Sequence, residues 1–473
     1  MIARAARAAT VLLAATLLAG CVVGPDFETP LPDAPAQGAF VESKVAGVTP
    51  EEPPTAWWRL FRAPLLDGLV DQALANNTDL RAAAANLREA RAALSESRAG
   101  LLPTTTLTGQ QSYSRTPLVG FGGAGAFETP LYNGGLDVNY QVDLFGRITR
   151  TIQASRADYQ AVQAVYDRTR ISVVADTTRA YAQVCALGRQ IAVARESLRV
   201  QQETFGLTER QYQGGRGTAL EVSRARSQLE QTRAGIPNLE ASRRSALYAL
   251  AVLTGKPPAE FPQELATCVG APVLDTPVPI GDGATLIARR PDIREAERRL
   301  AAATARIGVA TAALYPNISI GGSIGGQAAT AGDVFNNRGF RFNFGPLISW
   351  TFPNITAARA QIRQAEASAD AALAGFDGAW LGALREVEST LAQYSAALET
   401  RDTLARARSE SDEAARIARL RYRAGRENFQ VVLDAERELA TTEAQLADAQ
   451  AQLADLTVTL FLALGGGWEQ VPA

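Results

Sequence analysis

Strict alternation of apolar and polar residues predicts β-strands in both halves of the chain. In residues 136–144, LDVNYQVDL, every second residue is apolar, so one face of the predicted strand is apolar and the other polar. The residues of that polar face are Asp137, Asn139, Gln141 and Asp143. Residues 317–324 and 340–345 repeat the pattern, and residues 104–113 show it more weakly. We therefore expect four strands.

Two long segments without proline, rich in alanine, arginine and glutamate, predict very long helices. They run from about Arg147 to Gln213 and from about Thr356 to Arg423. At about 1.5 Å per residue, each unbroken helix would reach about 100 Å. Each is followed by a glycine-containing turn and a return helix with apolar residues at heptad spacing. The heptads alone leave open a long antiparallel hairpin that is buried against itself.

The two halves of the chain resemble each other, which indicates an internal duplication. One constant offset pairs residues 77–81 with residues 290–294, and a nearly equal offset pairs Tyr212–Arg216 with Tyr422–Arg426. The expected segments are a signal peptide (1–20), a proline-rich N-terminal tether (21–63), a first repeat (64–255), a proline-rich linker (256–283), a second repeat (284–465) and a C-terminal tail (466–473).

The first twenty residues have the features of an export signal. Arg4 and Arg7 precede an apolar run that is too short to span a bilayer. The run ends in Leu-Ala-Gly-Cys21, which resembles a bacterial lipobox. Cleavage before Cys21 would free its thiol to receive a diacylglycerol and its amine to receive an acyl chain, and several acyl chains make a stable anchor. The alternative is an ordinary signal peptide with a chance cysteine.

A membrane-spanning part of this chain would have to consist of strands. No segment after the signal offers the eighteen or more consecutive apolar residues that a transmembrane helix needs. Four strands cannot close a barrel, and open edges in lipid leave backbone groups unpaired, so several copies would have to assemble. The alternative is a soluble four-stranded sheet packed on helices.

The composition argues against catalysis and metal binding. The chain has no histidine, the commonest general acid or base and the commonest metal ligand. Its three cysteines cannot build a zinc cluster or a disulfide framework. Cys185 and Cys268 could pair in an oxidising compartment, although we expect free thiols. A net charge of −2 indicates no particular partner, and we expect no enzyme and no cofactor.

Several motifs in a fixed order resemble those of the outer-membrane factor (TolC-like) family, in the lipoprotein branch that serves resistance-nodulation-division efflux systems. They are Cys21–Phe27, Asp143–Arg147, Arg289–Arg294, Tyr315–Pro316 and Leu464–Gly467. The similarity covers essentially the whole mature chain.

This resemblance implies a mostly α protein with a small transmembrane β part. Three chains would form a twelve-stranded β-barrel in the bacterial outer membrane, and their long antiparallel coiled-coil helices an α-barrel in the periplasm. The implied partners are two further copies, a periplasmic adaptor (membrane fusion) protein, an inner-membrane resistance-nodulation-division pump and membrane lipid, but no nucleic acid.

The implied function is a passive exit duct of a tripartite efflux pump for drugs or other small molecules. One alternative with the same fold is the duct of a type I protein-secretion system, which the lipobox disfavours. Another is a periplasmic coiled-coil lipoprotein scaffold without a channel, which the amphipathic strands disfavour.

The resemblance also suggests two functional regions near the turns between long and return helices. Family members engage the adaptor through these turns, which predicts adaptor contacts at Gly215, Arg216, Gly425 and Arg426. Family members close this end with a constriction, for which the candidates here are Asp412, Glu413, Arg416 and Arg419. The alternatives are that the turns only stop the helices and that the charged residues form a solvated helix face.

Overall fold

The computed structural model describes residues 22–32, 34–117, 126–352 and 355–466. Its helices are α1 (Pro64–Asn76), α2 (Thr78–Ala99), α3 (Arg147–Gln213), α4 (Ala219–Leu253), α5 (Gly283–Arg289), α6 (Pro291–Ala312), α7 (Ile355–Arg423) and α8 (Phe429–Ala463). Its strands are β1 (Val48–Thr49), β2 (Thr104–Pro117), β3 (Ala126–Val142), β4 (Val278–Pro279), β5 (Asn317–Ala328) and β6 (Phe340–Ser349). Within these ranges, no helix is both long and apolar enough to cross a membrane.

The chain divides into two compact units that do not follow the sequence repeats. Among the described residues, the first unit contains 22–30, 87–117, 126–162, 295–352 and 355–376, and the second contains 31–32, 34–86, 163–294 and 377–466. Each unit therefore combines segments from both repeats.

The first unit carries an antiparallel four-stranded sheet in the order β2-β3-β5-β6. Leu136 of β3 lies opposite Leu107 of β2 and Ile324 of β5, and Ile324 lies opposite Phe342 of β6. Directly opposite residues in antiparallel strands share a face, so the apolar positions of all four strands lie on one face. The predicted alternation is confirmed, and β2 and β3 are longer than predicted.

The apolar face of this sheet is solvent-exposed in the single chain. The side chains of Leu107, Phe342 and Phe344 are 83%, 74% and 81% exposed. Among the described residues, therefore, no element covers these positions. This exposure disfavours a soluble sheet that packs on the helices of its own chain.

The long helices α3 and α7 are unbroken and match the predicted spans almost to the residue. Both are followed by a short turn and a return helix of 35 residues. The heptad residues Val432, Leu453 and Leu460 of α8 are buried. The heptads therefore mark a packed face, and Pro237 lies inside α4 without ending the helix.

The N-terminal segment and the linker pack together in the second unit. Strand β1 pairs in parallel with β4, and Ile280 N donates to Thr49 O at 2.9 Å. Trp57 is fully buried, and its ring stacks on Phe461 of α8 with 4.7 Å between centroids. This part of the predicted tether is thus fixed to the helices.

Cys185 of α3 and Cys268 of the linker form a disulfide, so the expectation of free thiols is wrong. The linker is brought to α3 by other contacts. Gly270 N donates to Cys185 O at 2.9 Å, and Arg243 Nη2 donates to Cys268 O at 2.8 Å. A side chain at Gly188 would collide with the Cys268 carbonyl. The close approach of the linker backbone therefore places the two sulfur atoms together.

Candidate functional site

The two turns that follow the long helices have the same backbone structure. Gly215 and Gly425 adopt φ angles of 72° and 69°, in the left-handed region that favours glycine. Arg216 N donates to Gln211 O at 2.8 Å, and Arg426 N donates to Arg421 O at 2.9 Å. These bonds reach back five residues, as in a Schellman motif that ends a helix. A Cβ at either position would meet open space. The φ angle, and not a lack of room, is therefore the reason that glycine stands at both positions.

Polar side chains start the return helices. Thr218 and Glu221 form a capping box at the start of α4: Thr218 Oγ1 accepts from Glu221 N, and Glu221 Oε2 accepts from Thr218 N. Asn428 Oδ1 accepts from Val431 N at the start of α8. Each turn is therefore determined by its own sequence on both sides.

The four predicted adaptor-contact residues lie on the exposed surface of these turns. Arg216 and Arg426 each follow the left-handed glycine and present a cation next to it. The neighbouring tyrosines differ: Tyr212 is 47% exposed, whereas Tyr422 is buried against Phe429 with 5.9 Å between ring centroids. The second turn is thus tied to a hydrophobic cluster in which Val432 and Leu433 also take part.

The four predicted gate residues divide among three separate ion pairs. Glu413 and Arg416 pair with each other at 2.6 Å on the exposed face of α7. Hydrogen bonds from Arg416 lower the pKa of Glu413. Asp412 lies 3.6 Å from Arg408, one turn earlier in the same helix. Arg419 pairs with Glu436 of α8, so the four residues do not form one ion-paired cluster.

Arg419 faces the buried carboxylate of Glu436, with 3.9 Å between Nη1 and Oε1. Thr204 Oγ1 of α3 donates to the same oxygen at 2.7 Å. Burial raises the pKa of Glu436, and the hydrogen bond from Thr204 and the charge of Arg419 oppose that rise. Sequence reasoning missed Glu436. The available signal was its position four residues after buried Val432, on the apolar face of α8.

Helices α3, α7 and α8 surround a cavity of about 690 Å³ beside this cluster. Its lining includes Glu436 and Arg419, together with the pair Arg408 and Glu443, whose nearest atoms are 2.8 Å apart. The hydrogen bond to Glu443 raises the pKa of Arg408. The cavity is therefore lined by charges of both signs that are mostly paired with each other.

The polar face of the sheet contains three of the four residues that the alternation in residues 136–144 placed on it. Asp137 of β3 lies opposite Thr106 and Ser323, and Gln141 lies opposite Ser319. Asn139, two positions from each, shares this face.

Asp143 is a correction to the predicted face. Strand β3 ends at Val142, and the Asp143 carboxylate accepts hydrogen bonds from the backbone of Ile148 and Thr149 at 2.8 and 2.7 Å. It therefore fixes the start of α3, where a carboxylate is favourable near the positive end of the helix dipole.

The predicted lipidation residue, Cys21, lies outside the described residues. Across the described ranges, no group of three or more cysteine, aspartate or glutamate side chains has an arrangement that could hold a metal ion. The candidate surfaces are thus two exposed turns, a charged cavity near one of them and a two-faced sheet.

The family described as "Outer membrane efflux protein" matches this chain over residues 69–256 and 284–466. The outer membrane protein OprJ of Pseudomonas aeruginosa is 31% identical over 464 residues, which cover 97% of this chain and 95% of OprJ. The probable outer membrane lipoprotein SilC of Salmonella typhimurium is 28% identical, and the match covers 96% of this chain and 97% of SilC.

The solved structure of the outer-membrane channel OprN superimposes on this chain with a TM-score of 0.89 at 35% identity. The superposition covers 95% of this chain and all of the OprN chain.

Proposed function

This chain belongs to the outer membrane efflux protein family, and we propose that it is the lipid-anchored, trimeric exit duct of a tripartite efflux pump. It is an outer-membrane protein and the channel component of such a pump. Our proposal adds the number of copies, the partners at the turns, the lipid and the passive mode of transport.

The observation that carries the proposal is the two-faced sheet. Its apolar face is exposed in the single chain, and its opposite face carries Asp137, Asn139 and Gln141. This alternation is typical of membrane barrel strands with lipid outside and water inside. Four strands leave two open edges, which lipid does not tolerate. Three copies supply twelve strands, enough to enclose an aqueous channel.

The lipid anchor is supported by the lipobox that ends at Cys21 and by the similarity to a protein named as an outer membrane lipoprotein. The signal would direct export, and the acyl chains would hold the mature chain at the membrane. No cofactor is needed, because the duct conducts molecules and catalyses no reaction.

The two glycine turns are the proposed contact surface for the periplasmic adaptor. They are exposed, structurally alike and each carries an arginine after the glycine. An adaptor that presents carboxylates at this level would pair with Arg216 and Arg426, and the inner-membrane pump would supply the energy.

Complementation in a bacterium that lacks its own efflux duct tests the function. Cells that supply the adaptor and pump and express this chain should regain resistance to a pumped drug. The double variant R216E/R426E should be inserted normally but lose most of that resistance. The control variant R233E changes an exposed arginine of α4 that pairs with Glu230. Cells with this variant should keep the drug resistance. Export of a protein substrate without restored resistance would instead indicate a type I secretion duct.

A further inference from the structure

The residues directly after Cys21 are held by one buried arginine at the start of α3. The Arg150 side chain is only 4% exposed. Its Nε donates to Val23 O at 3.0 Å, its Nη2 to Gly24 O at 2.9 Å and its Nη1 to the Asp26 carboxylate at 2.8 Å. All three guanidinium nitrogens therefore bind residues 23–26, a geometry that the single ammonium of lysine cannot reproduce.

Three glycines make this contact possible because each one lets backbone approach closely. Gly24 has a φ of 89°, and a Cβ there would collide with the backbone of Gly308 in α6. A Cβ at Gly308 would lie 2.7 Å from Arg150 Cγ. Gly146 has a φ of 75°, and a Cβ there would lie 2.7 Å from Val22 Cγ1. The N-terminal segment thus lies in a surface slot, and these three glycine positions have no room for a side chain.

The slot lies where strand β3 ends and α3 begins, beside exposed aromatic residues. Val23 N donates to Phe145 O at 3.4 Å, and the Phe145 ring stacks on Tyr315 with 4.6 Å between centroids. Trp350 and Phe352, directly after β6, form a second pair at 5.1 Å and are 52% and 65% exposed. Aromatic rings of this kind are enriched at the level of the lipid headgroups.

We propose that residues 22–26, Arg150, Gly146 and Gly308 form an N-terminal clamp that fixes where the acyl chains of Cys21 enter the membrane. This rests on the proposed lipidation. Consecutive Cα atoms are about 3.8 Å apart, so an acylated Cys21 would start one residue from the slot. The acyl chains then insert into the periplasm-facing leaflet next to the aromatic pairs. The anchor is a rigid mount at the base of the strands.

Hydrogen–deuterium exchange on the purified lipoprotein in phospholipid nanodiscs tests whether the clamp is closed. The Val23 amide, which donates to Phe145 O, should be protected in the native protein. In R150A and in G308A, which opens the clamp from the opposite side, its exchange should rise roughly tenfold or more, as expected when the contacts that hold the segment in place are lost. R156A changes an exposed arginine of the same helix, and G375A adds a methyl group where there is open space. Both should leave exchange unchanged.

A cycle of four proteins tests the coupling to the lipid. An unlipidated form starts at Val22 after a signal peptide of the ordinary type, and both forms are made with and without R150A. Removing the lipid should lower the thermal dissociation midpoint of the assembly when Arg150 is present. In the R150A background, where the clamp is open, the same removal should lower the midpoint much less. An equal drop in both backgrounds, or unchanged exchange in R150A and G308A, would overturn the proposal. The mass of the N-terminal peptide reports separately whether the chain is lipidated.

Discussion

The guanidinium of Arg419 on α7 lies 3.9 Å from the carboxylate of Glu436 on α8, whose side chain is 3% exposed. The sequence suggested that Arg419 would act with Asp412 and Glu413 in a gate. In the structure its partner is a buried carboxylate on the helix that returns from the same turn. This pair, together with Thr204 of α3, links three helices near the candidate adaptor surface.

Loss of this cation should destabilise the helices near the turn. R419A leaves the carboxylate of Glu436 buried with only the Thr204 hydroxyl as a partner, and should lower the free energy of unfolding by about 1–3 kcal/mol. Denaturant unfolding of the purified protein measures the effect. The matched control is R416A, which removes an exposed pair and should change stability little. Equal losses in the two variants would contradict a special role for the buried pair.

The same carboxylate should make stability depend on pH. Burial raises the pKa of Glu436 in the folded state, so the folded protein binds more protons than the unfolded chain above the unfolded value of about 4.3. Its contribution to stability should be greatest below that pH and should fall as pH rises towards the folded pKa. E436Q should remove this pH dependence. The difference in thermal midpoint between the native protein and E436Q should therefore change over the pH interval between the unfolded and the folded pKa of Glu436. A constant difference across the interval would show that Glu436 does not titrate as proposed.

The two faces of β3 should respond differently to the same charge. N139D adds a carboxylate to the polar face, and in a trimer it should raise the preference for cations over anions without affecting assembly. V138D places the charge on the apolar face and should cost roughly 1–2 kcal/mol per chain in the membrane, which lowers the yield of inserted protein. Reversal potentials in planar bilayers and the amount of assembled protein are the measurements. Similar effects of both substitutions would refute the assigned facing.

The Cys185–Cys268 disulfide should stabilise the second unit. The two cysteines are 83 residues apart, and a cross-link of that separation contributes about 2–4 kcal/mol in typical cases. A reductant should therefore lower the thermal midpoint of the native protein. C268S should already have the lower midpoint and should not respond to the reductant. A midpoint that reductant leaves unchanged in the native protein would show that the bridge is not structural.

Local patterns predicted most of the fold. Alternation in β3 and the proline-free composition of α3 and α7 are consequences of neighbouring residues, and the turns at Gly215 and Gly425 carry their own signals. Helices α3 and α7 and the two turns lie where the sequence predicted them, whereas β3 begins earlier, at Ala126.

Features that depend on packing between distant segments were not predictable in the same way. The disulfide forms because the linker lies against α3 at Gly188, and nothing near Cys185 in the sequence indicates that approach. Asp143 continues the alternation of β3 in the sequence, although the strand ends one residue earlier. The Asp143 carboxylate instead accepts a hydrogen bond at the start of α3. The clamp at Arg150 joins two motifs that the sequence showed only as separate. The missing information in each case is the identity of the partner segment.

Native mass spectrometry of the protein extracted from outer membranes in detergent tests the lipidated trimeric duct most directly. We expect one species of three mature chains, each beginning at Cys21 and carrying the mass of its acyl chains. A monomer that stays soluble without detergent and carries no lipid would contradict both the anchor and the shared barrel.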